Sequence, residues 1–280
     1  MVFGVSLGHW HAVHGTAPDD VKRLFGELAD IGIGGVKVDC PDADDADWKA
    51  YGDMIAKYVD EFGFQVSVHA PGGDISSTDN AVREKAVEGI AKAIHTVGSR
   101  IPGVVFAVHP EDYAQPRVAG DDDARMDQCH ASMATLAKTA SAVGARIALE
   151  DMRHRADNPN RTGMYTHQLL RIVKGLDPAT VGICVDTGHG NISEDIVVAE
   201  AYARVADRVI HVHYDDNFGV DDEHLPPGEG NIDFTAFFTA VNDAGYDRMI
   251  ELEVKVRGDD PLEFWKKSYQ YYISTGGHAR

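Results

Sequence analysis

Short apolar runs rich in β-branched residues alternate along the chain with longer stretches in which apolar positions recur every three or four residues. The short runs predict eight strands, at residues 3–7, 35–39, 65–69, 104–109, 146–150, 181–186, 208–213 and 249–253. The longer stretches predict eight helices, at residues 18–31, 47–62, 79–97, 122–143, 166–174, 194–206, 234–244 and 261–274. Strict alternation of strands and helices implies a parallel sheet.

Capping residues and glycines support these helix limits. Helix-capping types stand at the starts Asp47, Asp79 and Thr166, and glycine stands at the ends Gly63, Gly98, Gly144, Gly175 and Gly245. Eight strand–helix units in 280 residues fit a closed (β/α)8 TIM barrel better than an open doubly wound sheet. No nucleotide-binding glycine motif supports the open sheet. The sequence shows no repeat beyond this alternation, no low-complexity linker and no break in composition, so we interpret residues 1–280 as one domain.

Charge and cysteine content narrow the functional classes. The chain carries 45 acidic and 26 basic residues, a net charge of −19, which argues against nucleic acid or an anionic membrane as its partner. An acid-rich surface also suits a high-salt host. The three cysteines, Cys40, Cys129 and Cys184, form no CxxC pattern, so neither a disulfide framework nor a thiolate zinc site is indicated. The sequence shows no signal peptide or membrane-length apolar run, and we expect a cytoplasmic location.

Metal-capable side chains end six consecutive predicted strands, where TIM barrels place their chemistry. They are His69, His109, Glu150, Asp186, His213 and Glu253. One histidine at a strand end is ordinarily a hydrogen-bonded structural residue, but six such residues on one rim are hard to explain in that way. Carboxylates that converge on one mouth repel each other and resist desolvation, so a divalent cation is the simplest group to neutralise them. After the sixth predicted strand, the sequence Asp186-Thr-Gly-His189-Gly predicts a turn that brings His189 back beside Asp186.

The period of two along a strand supports two choices within this pattern. His211 and His213 face the same side, as do Glu251 and Glu253, and the later residue of each pair lies nearer the C-terminal mouth. We therefore take His213 and Glu253 as the site residues. The alternative for the glutamates is an inward-facing side chain held by a lysine such as Lys37 or Lys255.

The loop after the seventh predicted strand is a second dense polar patch. Alternation within an extended piece would place Asp222 and His224 on one side as a ligand pair. Gly228 and Gly230 then predict a tight turn into the following helix, with Asp233 as its N-cap. A solvated acidic loop explains the other acids of this segment, which are Asp215, Asp216 and Asp221.

Together these stretches resemble the xylose isomerase-like TIM-barrel superfamily, which includes sugar isomerases and epimerases and the endonuclease IV type of abasic-site (AP) DNA repair enzyme. The matching stretches are Val-His69-Ala-Pro, Val-His109-Pro, Ala-Leu-Glu150-Asp, Val-Asp186-Thr-Gly-His189, His213-Tyr-Asp-Asp216, Asp222-Glu-His224 with Gly228-Glu-Gly-Asn-Ile, and Leu-Glu253-Val. They run from the third predicted strand to the eighth. The motifs are specific for the superfamily and much less specific for the reaction.

The resemblance implies a metal core of Glu150, Asp186, His213 and Glu253, shared by the epimerases and the nucleases. In the ketose epimerase branch, the histidine that matches His189 contacts the substrate, and the two metal-bound glutamates double as the proton-transfer pair. In the endonuclease IV branch the site holds three zinc ions, and the further ligands match His69, His109, His189, Asp222 and His224.

Two departures separate this chain from the nuclease branch. That family has an Asn-Thr-Ala-Gly run directly after the glutamate, where this chain has Asp151-Met-Arg153-His154. A DNA enzyme also needs basic residues along its groove, whereas the loops at residues 42–47 and 215–223 are acidic. The basic residues after Glu150 either clamp an anionic group of a small substrate or balance the acidic rim; they are Arg153, His154, Arg155 and Arg161.

We therefore expect a metal-dependent isomerase or epimerase acting on a sugar-like small molecule. In this hypothesis Mn, Mg, Co or Zn stabilises an enediolate while Glu150 and Glu253 act as base and acid. The expected substrate contacts are His189, His69, Trp10 and Arg153, with His9 beside Trp10. The alternatives are an endonuclease IV-like zinc enzyme, a lyase or dehydratase that begins with the same proton abstraction, and a binding barrel without turnover. The resemblance also makes a homo-oligomer an expectation.

Overall fold

Eight parallel strands close into a barrel in the computed structural model, which describes residues 1–8, 15, 17–38, 40, 46–111, 120–156, 158, 161–193 and 196–279. The strands are β1 (Val2–Ser6), β2 (Gly35–Val38), β3 (Gln65–His69), β4 (Val105–Val108), β5 (Arg146–Glu150), β6 (Val181–Asp186), β7 (Val209–Tyr214) and β8 (Met249–Leu252). Neighbours in sequence are neighbours in the barrel, and β8 closes the ring against β1, with Leu252 beside Val5. The predicted (β/α)8 TIM barrel is confirmed.

Helices surround this barrel. Those in the described part of the chain are α1 (Pro18–Ile31), α2 (Ala46–Phe62), α3 (Asn80–Gly98), α4 (Asp122–Ala142), α5 (Thr166–Val173), α6 (Thr187–Ser193), α7 (Val198–Val205), α8 (Phe234–Asp243) and α9 (Pro261–Ser274). Seven predicted helices agree with these limits within one residue at each end. The predicted helix at 194–206 is wrong at its start, because α6 follows β6 directly and α7 begins only at Val198. Residue 39 and residues 194–195 lie outside the described residues.

Local hydrogen bonds and glycine conformations explain most helix limits. Asp79 caps α3 by accepting the N–H of Ala81 at 2.8 Å, and Asp233 caps α8 as predicted. Thr166 is the first residue of α5 rather than its cap. Left-handed φ angles of 66–78° occur just beyond four helices, at Gly63, Gly144, Gly175 and Gly245. No helix among the described residues has the length and apolarity needed to cross a membrane.

One part of the barrel interior below its C-terminal mouth is apolar. Small and medium side chains form a cluster there, made of Val105, Ala107, Ala148, Cys184 and Ile210. Ala148 and Cys184 each lie two residues before an acidic residue, so Glu150 and Asp186 point into the barrel above the same apolar layer. The larger core, between the strands and the helices, fixes the positions of the strand ends.

Candidate active site

Four polar side chains from consecutive strands meet at the C-terminal mouth. Glu150 ends β5 and Asp186 ends β6, while His213 lies near the end of β7 and Glu253 directly follows β8. Each side chain offers one ligand atom, and these four atoms lie within 4.8 Å of one another. The barrel therefore brings together the four residues that the sequence analysis assigned to a metal core.

His213 faces all three carboxylates of this group. Its Nδ1 atom lies 2.6 Å from Glu253 Oε2, 3.2 Å from Glu150 Oε1 and 3.7 Å from Asp186 Oδ2. The side chains of Glu150, Asp186 and His213 are at most 2% exposed, whereas that of Glu253 is 19% exposed. Solvent therefore reaches the group from the side of Glu253.

The donor set fits a divalent cation. Three buried carboxylate oxygens make no hydrogen bond of good geometry within the described part of the chain, although histidine nitrogens lie close to them; they are Glu150 Oε2, Asp186 Oδ2 and Glu253 Oε2. Burial of such oxygens costs free energy unless a cation or a hydrogen bond compensates. Carboxylates suit Mg and Mn, and an imidazole extends the choice to Zn and Co.

The charges within this group keep both glutamates ionised. Burial opposes ionisation of Glu150, but the imidazoles of His213 and His109 outweigh it and hold the pKa of Glu150 well below its usual range. For Glu253, His213 and the Lys37 ammonium likewise outweigh burial and hold the pKa well below its usual range. Both carboxylates are therefore charged at neutral pH and can accept protons.

A second group forms around the other oxygen of Glu150. The Nε2 atoms of His69 and His109 lie 3.4 Å and 3.3 Å from Glu150 Oε2, and 3.2 Å from each other. These three residues also have the spacing of a cation site. Glu150 is therefore shared between two groups of metal-capable residues.

A third group lies in the loop after β7 and comprises Asp215, Asp222 and His224. Asp222 Oδ2 lies 3.4 Å from His224 Nε2 and 3.5 Å from His189 Nε2. Asp222 and His224 converge as predicted, but for a different reason, because His224 has a left-handed φ of 48° instead of an extended backbone. Burial lowers the pKa of His224, but its contacts with Asp222 and Asp215 outweigh burial and raise the pKa to about 9.

Helix α6 fixes the orientation of His189. The backbone N–H of His189 donates to Asp186 Oδ1 at 2.7 Å, and its ring Nδ1 donates to the Asp151 carbonyl oxygen at 2.8 Å. The second bond sets the tautomer and leaves Nε2 facing Asp222. Gly188 permits this arrangement, since a Cβ there would meet Asp215 Oδ2 at 2.5 Å.

Asp215 and Asp216 are buried, so the expectation of a solvated loop is wrong for these two residues. Asp215 Oδ1 accepts the backbone N–H of Gly188 at 2.9 Å. Asp216 accepts backbone N–H groups from four residues, which are Asn217, Gly228, Gly230 and Ile232. Asp216 thus organises the loop that carries Asp222 and His224. Local sequence does not reveal this role, because the donors lie up to sixteen residues away.

Glu251 and Glu253 occupy different environments. Glu251 Oε2 accepts hydrogen bonds from His211 Nε2 at 2.9 Å and from Ser67 Oγ, within the barrel interior. Lys37 Nζ contacts both glutamates, at 3.6 Å from Glu251 Oε1 and 3.3 Å from Glu253 Oε1. Glu253 is therefore the glutamate that joins the mouth group, although the lysine contact considered as the alternative is also present.

The basic residues after β5 have separate partners. Arg153 lies at the mouth, with its Nε atom 3.2 Å from Asp222 Oδ2. Arg161 is fully buried and pairs with Glu111 at 3.2 Å, which favours the balance of a nearby acid, the second of the two alternatives, for this residue. Trp10 and His9, expected at the substrate, lie outside the described residues.

Known proteins are similar to this chain in sequence and in fold. An L-ribulose 3-epimerase from Mesorhizobium japonicum is 28% identical over 292 residues, which cover 99% of this chain and 91% of that protein. An uncharacterized protein from Methanocaldococcus jannaschii is 33% identical over 202 residues, which cover 70% of this chain and 66% of that protein. The crystal structure of a D-tagatose 3-epimerase-like protein matches with a TM-score of 0.77 and 26% identity, covering 99% and 98% of the two chains.

A family model covers most of the chain. The model described as xylose isomerase-like TIM barrel matches residues 25–274, a range that contains all six strand-end residues. This chain therefore belongs to the xylose isomerase-like TIM barrel family.

Proposed function

We propose that this chain is a divalent-metal-dependent isomerase or epimerase of a sugar or sugar-like keto substrate. The observation that carries the proposal is the placement of Glu150 and Glu253. Both carboxylates contact His213 Nδ1, but they come from β5 and from the end of β8, three strands apart in the barrel. Two ionised carboxylates on different sides of one polar mouth suit proton removal and return on a bound substrate.

The relatives support the same class of reaction. The Mesorhizobium relative is named as an L-ribulose 3-epimerase, and its alignment covers nearly the whole of this chain. Epimerisation beside a carbonyl requires removal of a weakly acidic C–H proton and its return to the opposite face. The four mouth residues supply two bases and a cation site for this chemistry.

Glu150, Asp186, His213 and Glu253 would hold the metal. When bound, a divalent ion supplies a Lewis acid that polarises the substrate carbonyl and offsets the negative charge that develops on oxygen. Three carboxylates in the donor set favour manganese or magnesium, with zinc or cobalt as alternatives. Lys37, 3.3 Å from Glu253, adds a fixed positive charge beside the group.

The two glutamates then take different roles. Glu150 is buried and ionised, so it accepts the proton from carbon. Glu253 is 19% exposed, so it takes up a proton from solvent and returns it to the substrate. His189, whose Nε2 faces the mouth, would contact a substrate hydroxyl, and His69 and Arg153 would flank it. Trp10 remains an expected contact from the sequence.

Substitution of the two glutamates tests this assignment. We expect Glu150→Gln and Glu253→Gln to abolish turnover in a panel of ketoses with Mn²⁺ while both variants keep the folded circular dichroism spectrum. Glu27→Gln, a partly exposed glutamate on α1, is the matched control and should retain wild-type activity. Full activity in either site variant would refute the division of roles between Glu150 and Glu253.

Metal-dependent phosphodiester hydrolysis is a second candidate function. It is favoured by the three adjoining groups at the mouth, with Glu150 common to two of them. Such a site suits several zinc ions, whereas the net charge of −19 opposes binding of a DNA backbone. About three zinc ions per chain together with cleavage of an abasic-site duplex would support hydrolysis, and one ion with ketose turnover would support the epimerase.

A further inference from the structure

A separate cavity lies at the N-terminal end of the barrel, opposite the mouth. Its volume is about 240 Å³. The polar residues that line it are Gln65 and Arg146 at the starts of β3 and β5, His211 in β7, and Arg248 just before β8. No carboxylate is among its described lining residues.

The charge of this cavity contrasts with that of the chain. The chain has a net charge of −19, and other arginines pair with acids, such as Arg153 with Asp222 and Arg161 with Glu111. Within the described residues, the side chains of Arg146 and Arg248 make no ion pair. Two uncompensated guanidinium groups at one concave surface create a local positive potential that attracts anions.

Two buried polar atoms of the lining residues have no hydrogen-bond partner in the described part of the chain, namely Arg248 Nη1 and His211 Nδ1. His211 is fully buried, and its Nε2 atom lies 2.9 Å from Glu251 Oε2. Glu251 also contacts the Lys37 ammonium and accepts from Ser67 Oγ, so it is the acceptor and His211 Nε2 is the donor. His211 Nδ1 is then an unused acceptor. Such atoms call for an explanation, and a bound group provides one.

We propose that this cavity binds a small oxyanion that carries a hydroxyl group, of the phosphate or phosphomonoester class. Arg146 and Arg248 hold the charged oxygens, since guanidinium groups bind phosphate through paired, charge-assisted hydrogen bonds. His211 Nδ1 accepts the hydroxyl hydrogen. The site lies at the other end of the barrel from Glu150 and Glu253 and stands whether or not the proposed reaction is correct.

Calorimetric titration of the purified full chain with inorganic phosphate tests the proposal, with chloride keeping the ionic strength constant. Phosphate keeps a hydroxyl at neutral pH, and we expect one binding site per chain. Arg146→Gln and Arg248→Gln should each weaken binding by about tenfold or more, because each removes one charged donor. Arg23→Gln, an exposed arginine on α1 outside both sites, is the matched control and should bind phosphate as the wild type does. Glycerol 3-phosphate, titrated in parallel, would bind more tightly than phosphate if the ligand is a phosphomonoester.

A footprinting measurement keeps the test valid if the cavity variants fold poorly. Phenylglyoxal modifies accessible arginines, and peptide mass spectrometry reports the rate at each position in the wild-type chain. Phosphate should slow the modification of Arg146 and Arg248 and leave that of the exposed Arg23 unchanged. No phosphate binding by the wild type, equal rates with and without phosphate, or protection of Arg153 alone, which would place the phosphate at the mouth, would overturn the proposal.

Discussion

Glu253 Oε2 lies 2.6 Å from His213 Nδ1, although the register of β7 and β8 places Glu251, not Glu253, directly beside His213. Glu253 therefore contacts His213 from just beyond the end of its strand, while Glu251 pairs with His211 below. The two glutamates therefore have different partners. Glu251 balances the charge of Lys37 inside the barrel, and Glu253 completes the group of four residues at the mouth.

Glu251→Gln should lower the free energy of unfolding and leave the metal content unchanged. Burial opposes ionisation of Glu251, but Lys37 and His213 lower its pKa to about 2, so the native chain holds a buried charge there. Removal of one partner of a buried ion pair costs about 3 kcal/mol. We expect a loss of this size in the free energy of unfolding, measured by urea titration. The metal-to-chain ratio should be that of the wild type. Unchanged stability, or loss of the metal, would contradict the division between Glu251 and Glu253.

Asp186→Asn should weaken the metal site without unfolding the barrel. Asp186 Oδ2 is one of the three unpartnered carboxylate oxygens, while Oδ1 accepts the N–H of His189. Loss of this charged ligand should reduce metal affinity by about 100-fold or more, since even outer partners of metal ligands contribute 10- to 100-fold. Competition with a chelator measures the affinity, and the exposed Asp19→Asn serves as the control. Equal metal affinities in the two variants would show that Asp186 is not a metal ligand.

Asp216→Asn should disorder the loop that carries Asp222 and His224. One oxygen of Asp216 accepts from Gly228 and Gly230, and an amide nitrogen in its place cannot accept either bond. Bonds to charged groups contribute about 1.5–3 kcal/mol each, so we expect a loss of about 3 kcal/mol in unfolding free energy. Asp221→Asn, in the exposed part of the same loop, should have little effect. Hydrogen exchange of the loop amides would report whether the destabilisation is local.

Gly230→Ala should destabilise the same loop through close contact. A Cβ at Gly230 would meet Asp216 Oδ1 at 2.3 Å and the Asn217 carbonyl oxygen at 2.4 Å. Overpacking of this kind costs about 1–3 kcal/mol. Gly89→Ala, on an open face of α3, should instead raise stability by about 1 kcal/mol. Thermal denaturation of the two variants should therefore shift in opposite directions, and a shared direction would argue against this account of the loop.

Metal affinity should rise with pH. Burial lowers the pKa of His213, but Cys184 and the surrounding carboxylates outweigh it and raise the pKa well above the usual value in the metal-free chain. Because a raised pKa keeps the proton bound to higher pH, a metal must displace this proton throughout the neutral range. Calorimetric titration in buffers of different ionisation enthalpy should show release of about one proton or more per metal bound. Binding without proton release would exclude His213 as a ligand.

Much of the fold follows from sequence periodicity alone. The strands ending at His69, Glu150 and Asp186 have the limits that the sequence predicts, because short, mainly apolar segments between helices are typical of parallel strands buried on both faces. Helix α6 was missed, since Thr187-Gly-His-Gly contains two residues of low helix propensity. Its first turn is instead stabilised by two carboxylates. Asp186 accepts the His189 amide locally, and Asp215, from the loop after β7, accepts the Gly188 amide.

The residues of the site at the strand ends could be predicted from the sequence, whereas the contacts within the loops could not. Glu150, Asp186 and His213 lie on neighbouring strands, so the barrel topology alone brings them together. The burial of Asp215 and Asp216 depends on backbone donors from distant residues, which local composition does not reveal. The pairing of Arg161 with Glu111, fifty residues away, was hidden for the same reason.

Exchange of a substrate proton with solvent tests the central claim most directly. The purified chain is incubated with Mn²⁺ and a panel of ketoses in deuterated water, and mass spectrometry and proton NMR locate any deuterium. The account predicts one deuterium at the carbon beside the carbonyl in the epimerised or isomerised product, absent in Glu150→Gln and Glu253→Gln. Absence of deuterium from every ketose, with cleavage of an abasic-site duplex by the same preparation, would contradict it.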